Sequence, residues 1–432
     1  MAPIRGVPRR QLRFRPNYYL FLLFLANLLN FADRALLGIV VDPIRADLQL
    51  SDTQMSLVSG VAFVLFNLLV GLFIARWIDR GNRKRILILG VSLWSGATAL
   101  TGVAVGFYSL AATRVLVGVG EATVFPAAVS IIADVIAAPR RPQAISVYQS
   151  GTFVGLVLGS ILAGVLAAAH GWRAMFLICG SSGFALVLLL MLTMREPERD
   201  LGEATAAPAR DTDLRRSVAR LMNIRGFPAL SCGTAFSTMA TSVLPVWAPA
   251  FLLRSHDVPL AAVGALIGPA VGLGSIAGTL ASGLIAGRLI RNRGNDVHGL
   301  LVPMIAVPLA TPFYGIFLFA PSLTVTMAAA GAMNFLLAMA IGPCIAVAIG
   351  MAPPGMRAVS STCMLILSGI VGGALAPAIV GGISDLLHPS AGVDSLRYGL
   401  ASMAPTPLIA GAFLWLAYSR MDSTTRHAAM PA

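Results

Sequence analysis

The chain has 432 residues, 57% hydrophobic and only 11% charged, with a mean hydropathy of +0.82. Soluble domains carry roughly 25% charged residues, so a disordered chain and a soluble globular domain are excluded and a polytopic helical membrane protein is expected. The net charge of +13 does not mark a nucleic-acid binder. The basic residues sit in short gaps between apolar runs, and no basic face interleaved with aromatics is present.

Residues 1–17 read as a basic cytoplasmic tail with Arg5, Arg9, Arg10, Arg13 and Arg15. The apolar run from Tyr18 to Val41 is too long for a signal peptide and contains Asp33-Arg34, so it is the first membrane span. Further spans are predicted at 55–75, 86–106, 108–133, 144–168 and 174–194, closing a first six-helix bundle over 18–194. A polar cytoplasmic linker, 195–226, follows. A second six-helix bundle, 227–418, carries spans at 227–251, 260–286, 299–320, 322–350, 358–383 and 397–418, and 419–432 form a cytoplasmic tail. The predicted fold is all-α, with twelve transmembrane helices in two pseudo-symmetric six-helix bundles.

Orientation follows from the basic residues. With the N-terminus inside, 25 Arg and Lys fall in inner loops and tails, against four outside: Arg45, Arg173, Arg254 and Arg397. That bias places both termini in the cytoplasm. The halves also repeat. Gly71-Leu-Phe-Ile recurs as Gly283-Leu-Ile-Ala, Ser150-Gly151 recurs as Ser368-Gly369, and Pro126 recurs as Pro343, at offsets near half the chain length. Parallel six-helix repeats with a midplane site between them are an alternating-access design.

Ionisable residues deep in a bilayer are functional by default. They are Asp33, Arg34, Arg114 and Glu121, all in the first half. At about 1.5 Å per residue, Asp33 lies about 12 Å and Arg114 about 9 Å from the outer ends of their spans, depths that allow a pair. Glu121 follows Arg114 by two turns on one face, with Gly118 leaving space between them. An acid beside a movable cation has a proton affinity that depends on which partner is near. Asp33 or Glu121 is therefore expected to carry a coupling proton, with Arg114 as the switchable partner. A static ion pair fixing helix packing is the alternative. Arg34 either anchors substrate or pairs locally, and Asn30, Glu121 and Asn334 complete the expected substrate contacts. At the repeat-equivalent positions the second half has Gly331 and Ala338. One charged wall facing an apolar one suits an amphipathic substrate.

Glycines 151, 155 and 159 form a small-residue stripe for close helix packing, and Trp172 and Trp247 are expected as interfacial anchors. The cysteines at 179, 232, 344 and 363 lie in apolar runs without metal-ligand spacing. The five histidines fall in loops or the tail, and neither H-E-x-x-H nor a phosphate-binding loop occurs, so no enzyme, metal or cofactor is expected.

The 71–85 segment, GLFIARWIDRGNRKR, resembles the cytoplasmic loop motif of the major facilitator superfamily, and Arg114-x-x-x-Gly118-x-Gly120 resembles a second motif of it. Asn30-Phe-Ala-Asp33-Arg34, Gly118-Val-Gly120-Glu121-Ala122, Pro126-Ala127-Ala128 and Gly372-Gly373-Ala-Leu-Ala-Pro377 with Ser384-Asp385 resemble the spinster-like branch. Asn82 stands where the loop motif usually has Gly, and Ala376 where the branch has Gly. The resemblance implies a transporter of lysophospholipids or sphingoid lipids with Asp33, Arg114 and Glu121 as functional groups. It also implies that Asp79 and Arg83 hold the cytoplasmic side closed as a gate, and Asp134, at the inner end of span 4, is the expected partner there of Arg80 or Arg83. The expected protein is a monomeric, proton-coupled secondary transporter in a bacterial inner membrane, with a lipid-like cargo. The alternative is a small organic anion or drug.

Overall fold

The computed structural model describes residues 16–137, 140–197, 214–353 and 356–428, excluding the side chains of residues 72, 75, 76, 79, 80, 142, 214, 215, 217, 357, 358 and 422–428. The basic tail before residue 16 and the core of the predicted linker lie outside the described residues.

Helix α1 (Pro16–Ile39) turns at Val40 into α2 (Val41–Leu48). A capping box at Ser51 starts α3 (Asp52–Ser56), which widens into a π-helix (Leu57–Ala62) and continues as α4 (Phe63–Arg80). Helix α5 (Arg83–Thr101) opens on Asn82, whose side-chain oxygen accepts from the Arg85 N–H at 2.8 Å. The departure from glycine at this position is thus a helix cap. Helices α6 (Phe107–Glu121) and α7 (Val124–Val135) make one span, broken at Ala122-Thr123. Helix α8 (Arg141–Thr193) holds the fifth and sixth predicted spans as two limbs meeting at Gly171, whose φ of +80° favours glycine.

After the undescribed stretch, α9 (Leu214–Met222) is a helix where the sequence predicted only polar linker. Its Leu221 is buried with Phe227 and Leu230, and its apolar residues recur at helical spacing. Next come α10 (Phe227–Ser255), α11 (Leu260–Arg293), a 3-10 turn (Asp296–Leu300), α12 (Leu301–Phe319), α13 (Leu323–Ala338), α14 (Ile341–Met351) and α15 (Arg357–Ser368). A second π-helix (Gly369–Leu375), α16 (Ala376–Ala391), a 3-10 turn (Gly392–Asp394), α17 (Ser395–Ala401) and α18 (Thr406–Ala428) complete the chain.

Among the described residues nine continuous stretches are long and apolar enough to cross a membrane. Two of them, Gln143–Thr193 and Val359–Met421, run to 51 and 63 residues. At about 30 Å per crossing each has length for two spans. Helix α5, 19 residues long and mostly apolar after Arg83-Lys84-Arg85, supplies one more. Counted this way the helices supply the twelve predicted crossings.

Arg83, Asp134 and Glu196 meet at one end of the bundle, the linker end. The largest buried apolar cluster straddles both halves at the opposite end, where Leu36, Val40, Met55 and Val58 join Val243, Trp247, Val380 and Leu400. A second cluster belongs to the first half alone, from Leu22 and Leu23 to Ile131 and Tyr148. The glycine stripe of α8 lies on α1: a β-carbon on Gly155 would approach the Leu28 carbonyl oxygen to 2.2 Å, and one on Gly159 would meet Ala32 at 2.5 Å. Trp247 and Trp172 are buried, not interfacial. Trp247 donates to the Pro377 carbonyl, and the cross-half core encloses both rings.

Candidate functional site

Asp33 and Arg34 are neighbours in α1 and point apart, because consecutive helical residues are offset by about 100°. Asp33 is buried and accepts a hydrogen bond from the Thr98 hydroxyl of α5 at 2.6 Å. Arg34 instead donates through Nε to Glu121 of α6 at 2.6 Å, and its guanidinium lies over the rings of Phe31 and Phe63 at 4.7 and 4.9 Å. The Glu121 carboxylate is buried, while about a third of the Arg34 side chain is exposed.

This corrects the expected Asp33–Arg114 pairing. Arg114 forms no ion pair among the described residues; it is buried, faces the Phe63 ring at 5.3 Å, and its Nε and one terminal nitrogen have no hydrogen-bond partner. Arg34 takes the partner assigned by sequence to Arg114. Gly118, between Arg114 and Glu121, does not leave empty space: α4 fills it, with the Phe63 carbonyl 2.7 Å from a β-carbon placed there and Asn67 donating to the Gly118 carbonyl. Phe63 thus sits under both arginines.

Asn30 is buried one turn before Arg34, and its amide lies beside the Glu121 carboxylate. The unbonded donors of Arg114 leave the first half hydrogen-bonding capacity around Phe63. Asn334 does not join them. It donates to Ala330 of its own helix and packs at Gly274 of α11.

At the linker end, Arg83 is almost wholly buried and binds Asp134 of α7, Glu196 at 2.8 Å and the Pro197 carbonyl at 2.7 Å. Glu196 also accepts from the Lys84 N–H at 2.7 Å, holding the start of the linker to the N-terminus of α5. Burial works against the Arg83 charge, but hydrogen bonds to Asp134 and Glu196 outweigh it and hold its pKa above the ordinary arginine value. The sequence expected Asp134 beside Arg80 or Arg83, and the partner is Arg83. Glu196 was missed, since it reads as part of a charged linker. The side chains of Asp79 and Arg80 lie outside the described residues.

The opposite end carries a polar cluster that sequence reasoning missed. Arg254 of α10 binds Asp42 of α2 and Asp52 of α3. Ser384 donates to Asp52 at 2.7 Å, and Asp385 accepts from the backbone N–H groups of Asp52 and Thr53. Ser56 donates to the Pro377 carbonyl. All of these contacts join one half to the other. A signal was present in the sequence: Asp42 and Arg254 have opposite charge and stand 212 residues apart, the offset of the Gly71 and Gly283 repeats.

Comparison with known proteins agrees with this architecture. The model of the Major Facilitator Superfamily matches residues 23–377. An MFS-type efflux pump of Mycolicibacterium smegmatis is 30% identical, covering 92% of this chain and 91% of that protein. Protein spinster homolog 1 of Xenopus tropicalis is 33% identical over 55% of this chain, a match spanning 46% of that longer relative. The crystal structure of a bacterial homolog of the human lysosomal transporter spinster, inward-facing and unoccupied, superimposes with a TM-score of 0.83 at 27% identity, covering 94% of this chain and 97% of that one. The chain is a multi-pass, spinster-like transporter and not an enzyme, and it belongs to the Major Facilitator Superfamily.

Proposed function

We propose that the protein is a proton-coupled secondary transporter that moves an amphipathic, lipid-like molecule, a lysophospholipid or sphingoid lipid, by alternating access. The observation that carries this reading is the split between Asp33 and Arg34. One buried acid is held by a neutral hydroxyl, and one half-buried ion pair, Arg34–Glu121, lies beside aromatic rings and an arginine without an ion-pair partner among the described residues. The first group is suited to taking up and releasing a proton as its surroundings change. The second offers hydrogen-bonding groups and apolar surface side by side, matching a polar headgroup and its chain. Asn30 and Arg114 complete the substrate contacts on this wall, without the expected Asn334, whose amide is bonded to its own helix.

The linker end is the cytoplasmic side, as the basic residues indicate, and the membrane is a bacterial inner membrane. The six-helix units are 18–194 and 227–418. Asp79, Arg80, Arg83 and Asp134, joined by Glu196, form the gate at that end, and the protein works as a monomer. Transport of a small organic anion is the second reading, favoured by the unpartnered donors of Arg114 and by the relative described as an efflux pump.

The test is lysophospholipid flux in proteoliposomes with and without an imposed pH gradient, comparing wild type with Asp33→Asn. Gradient-stimulated flux that the substitution removes is expected. Flux indifferent to the gradient rejects proton coupling, and no lysophospholipid flux with transport of an organic anion supports the second reading.

A further inference from the structure

Behind Asp33 is a cavity of about 70 Å³. Asp33, Ser95 and Thr98 line it, with Gly159 on the first limb of α8 and Cys179 and Gly183 on the second. It lies on the side of α1 away from the seam between halves. Gly38, one turn beyond Arg34 and on the same face, is pressed against the Pro245 carbonyl of α10. Arg34 therefore shares the face that meets the second half, and Asp33 points into the rear of the first.

The Ser95 hydroxyl is buried and has no hydrogen-bond partner in the protein. It occupies the notch left by Gly183, where a β-carbon would stand 2.0 Å away. An orphaned buried hydroxyl costs about 1–3 kcal/mol unless water satisfies it. At roughly 30 Å³ per molecule the cavity has room for two waters, with Asp33, Ser95 and Thr98 as polar partners. We infer that this rear cavity is a hydrated proton site serving Asp33, separate from the face of α1 that handles cargo. The inference rests on the proton-coupled reading above. In each transfer the water beside Asp33 gives one proton to the carboxylate and takes one from its neighbour, so no ion remains in the cavity. The charged groups near enough to act on Asp33 through space are Glu121, Arg114 and Arg34, on α6 and α1. Helices α5 and α8 present Thr98, Ser95 and Cys179.

The experiment uses the full chain in proteoliposomes and two readouts. The first needs no cargo. After a pH jump, the carboxyl stretch of Asp33, assigned with Asp33→Asn, is followed by infrared difference spectroscopy. Ser95→Ala is expected to slow its equilibration about tenfold, the effect of raising one barrier by a single weak hydrogen bond. An unchanged rate overturns the proposal. The second readout uses Cys179→Leu, whose larger side chain fills the cavity. It is expected to reduce pH-driven uptake of a fluorescent lysophosphatidylcholine, leaving counterflow at equal pH intact. Equal loss of driven uptake and counterflow overturns the proposal. If the chain moves no lysophosphatidylcholine, the cargo reading fails, and the infrared rate still decides this one.

Discussion

Arg254 clasps Asp42 across the two halves, its Nε lying 2.9 and 3.0 Å from the two carboxylate oxygens. The two residues end repeat-related spans, so the internal symmetry brings opposite charges together at its axis. Replacing Arg254 with Gln removes charged hydrogen bonds worth roughly 2 kcal/mol in net terms. The expected result is weaker closure of the opposite end, read as more than tenfold faster labelling of an Ala35→Cys reporter by an impermeant thiol reagent added on that side.

Asp385 caps α3 from the other half, accepting from two backbone N–H groups at 2.9 and 2.8 Å. Asp385→Ala is expected to lower stability by about 1 kcal/mol, the usual worth of a cap, and Asp385→Asn to recover part of it. Thermal unfolding in detergent measures both. Ser384→Ala, which removes the hydroxyl donated to Asp52, is expected to add to the loss less than independently, because both residues act on the start of α3.

Arg34 and Glu121 test whether their ion pair is a functional requirement or a packing device. Glu121→Leu alone strands Arg34, and Arg34→Met alone leaves a fully buried carboxylate, so each is expected to destabilise the protein. The double variant Arg34→Met/Glu121→Leu is expected to unfold at a higher temperature than either single variant, since buried pairs are often replaceable by apolar residues. It is expected to be inactive in lysophospholipid flux nonetheless.

The glycines divide into contact and open positions. A β-carbon on Gly264 would stand 1.8 Å from the Ser160 carbonyl oxygen, whereas one on Gly283 would meet nothing within 4 Å. Gly264→Ala is expected to push α8 and α11 apart and reduce flux severely. Gly283→Ala is expected to be neutral to slightly stabilising, because alanine is the better helix former by roughly 1 kcal/mol. Flux and melting temperature, compared side by side, give the answer.

The spans were legible because each is a long apolar run, and the deep charges were legible because they interrupt such runs. What hydropathy does not carry is azimuth. Asp33 and Arg34 occupy one depth, yet the rotation of α1 set by Gly155 and Gly159 against Leu28 and Ala32 decides which neighbour each meets. Glu196 escaped notice because a residue whose partner lies 113 positions away in Arg83 looks like any charge in a linker. The opposite-end cluster was hidden for a related reason. Asp42, Asp52 and Arg254 sit at helix ends, where charge is ordinary, and only their meeting across the halves gives them significance.

The two π-helices touch. A β-carbon on Gly60 in the first would lie 3.1 Å from the Gly373 carbonyl oxygen in the second. A π-turn holds one residue more than the α-turn it replaces, and returning that residue to α-register rotates everything downstream by about 100°. Immediately downstream of the first π-turn is Phe63, the ring beneath Arg34 and Arg114. A slip of one residue at this contact would act like the tooth of a ratchet, converting a small slide between the halves into a swing of the aromatic floor under two cations.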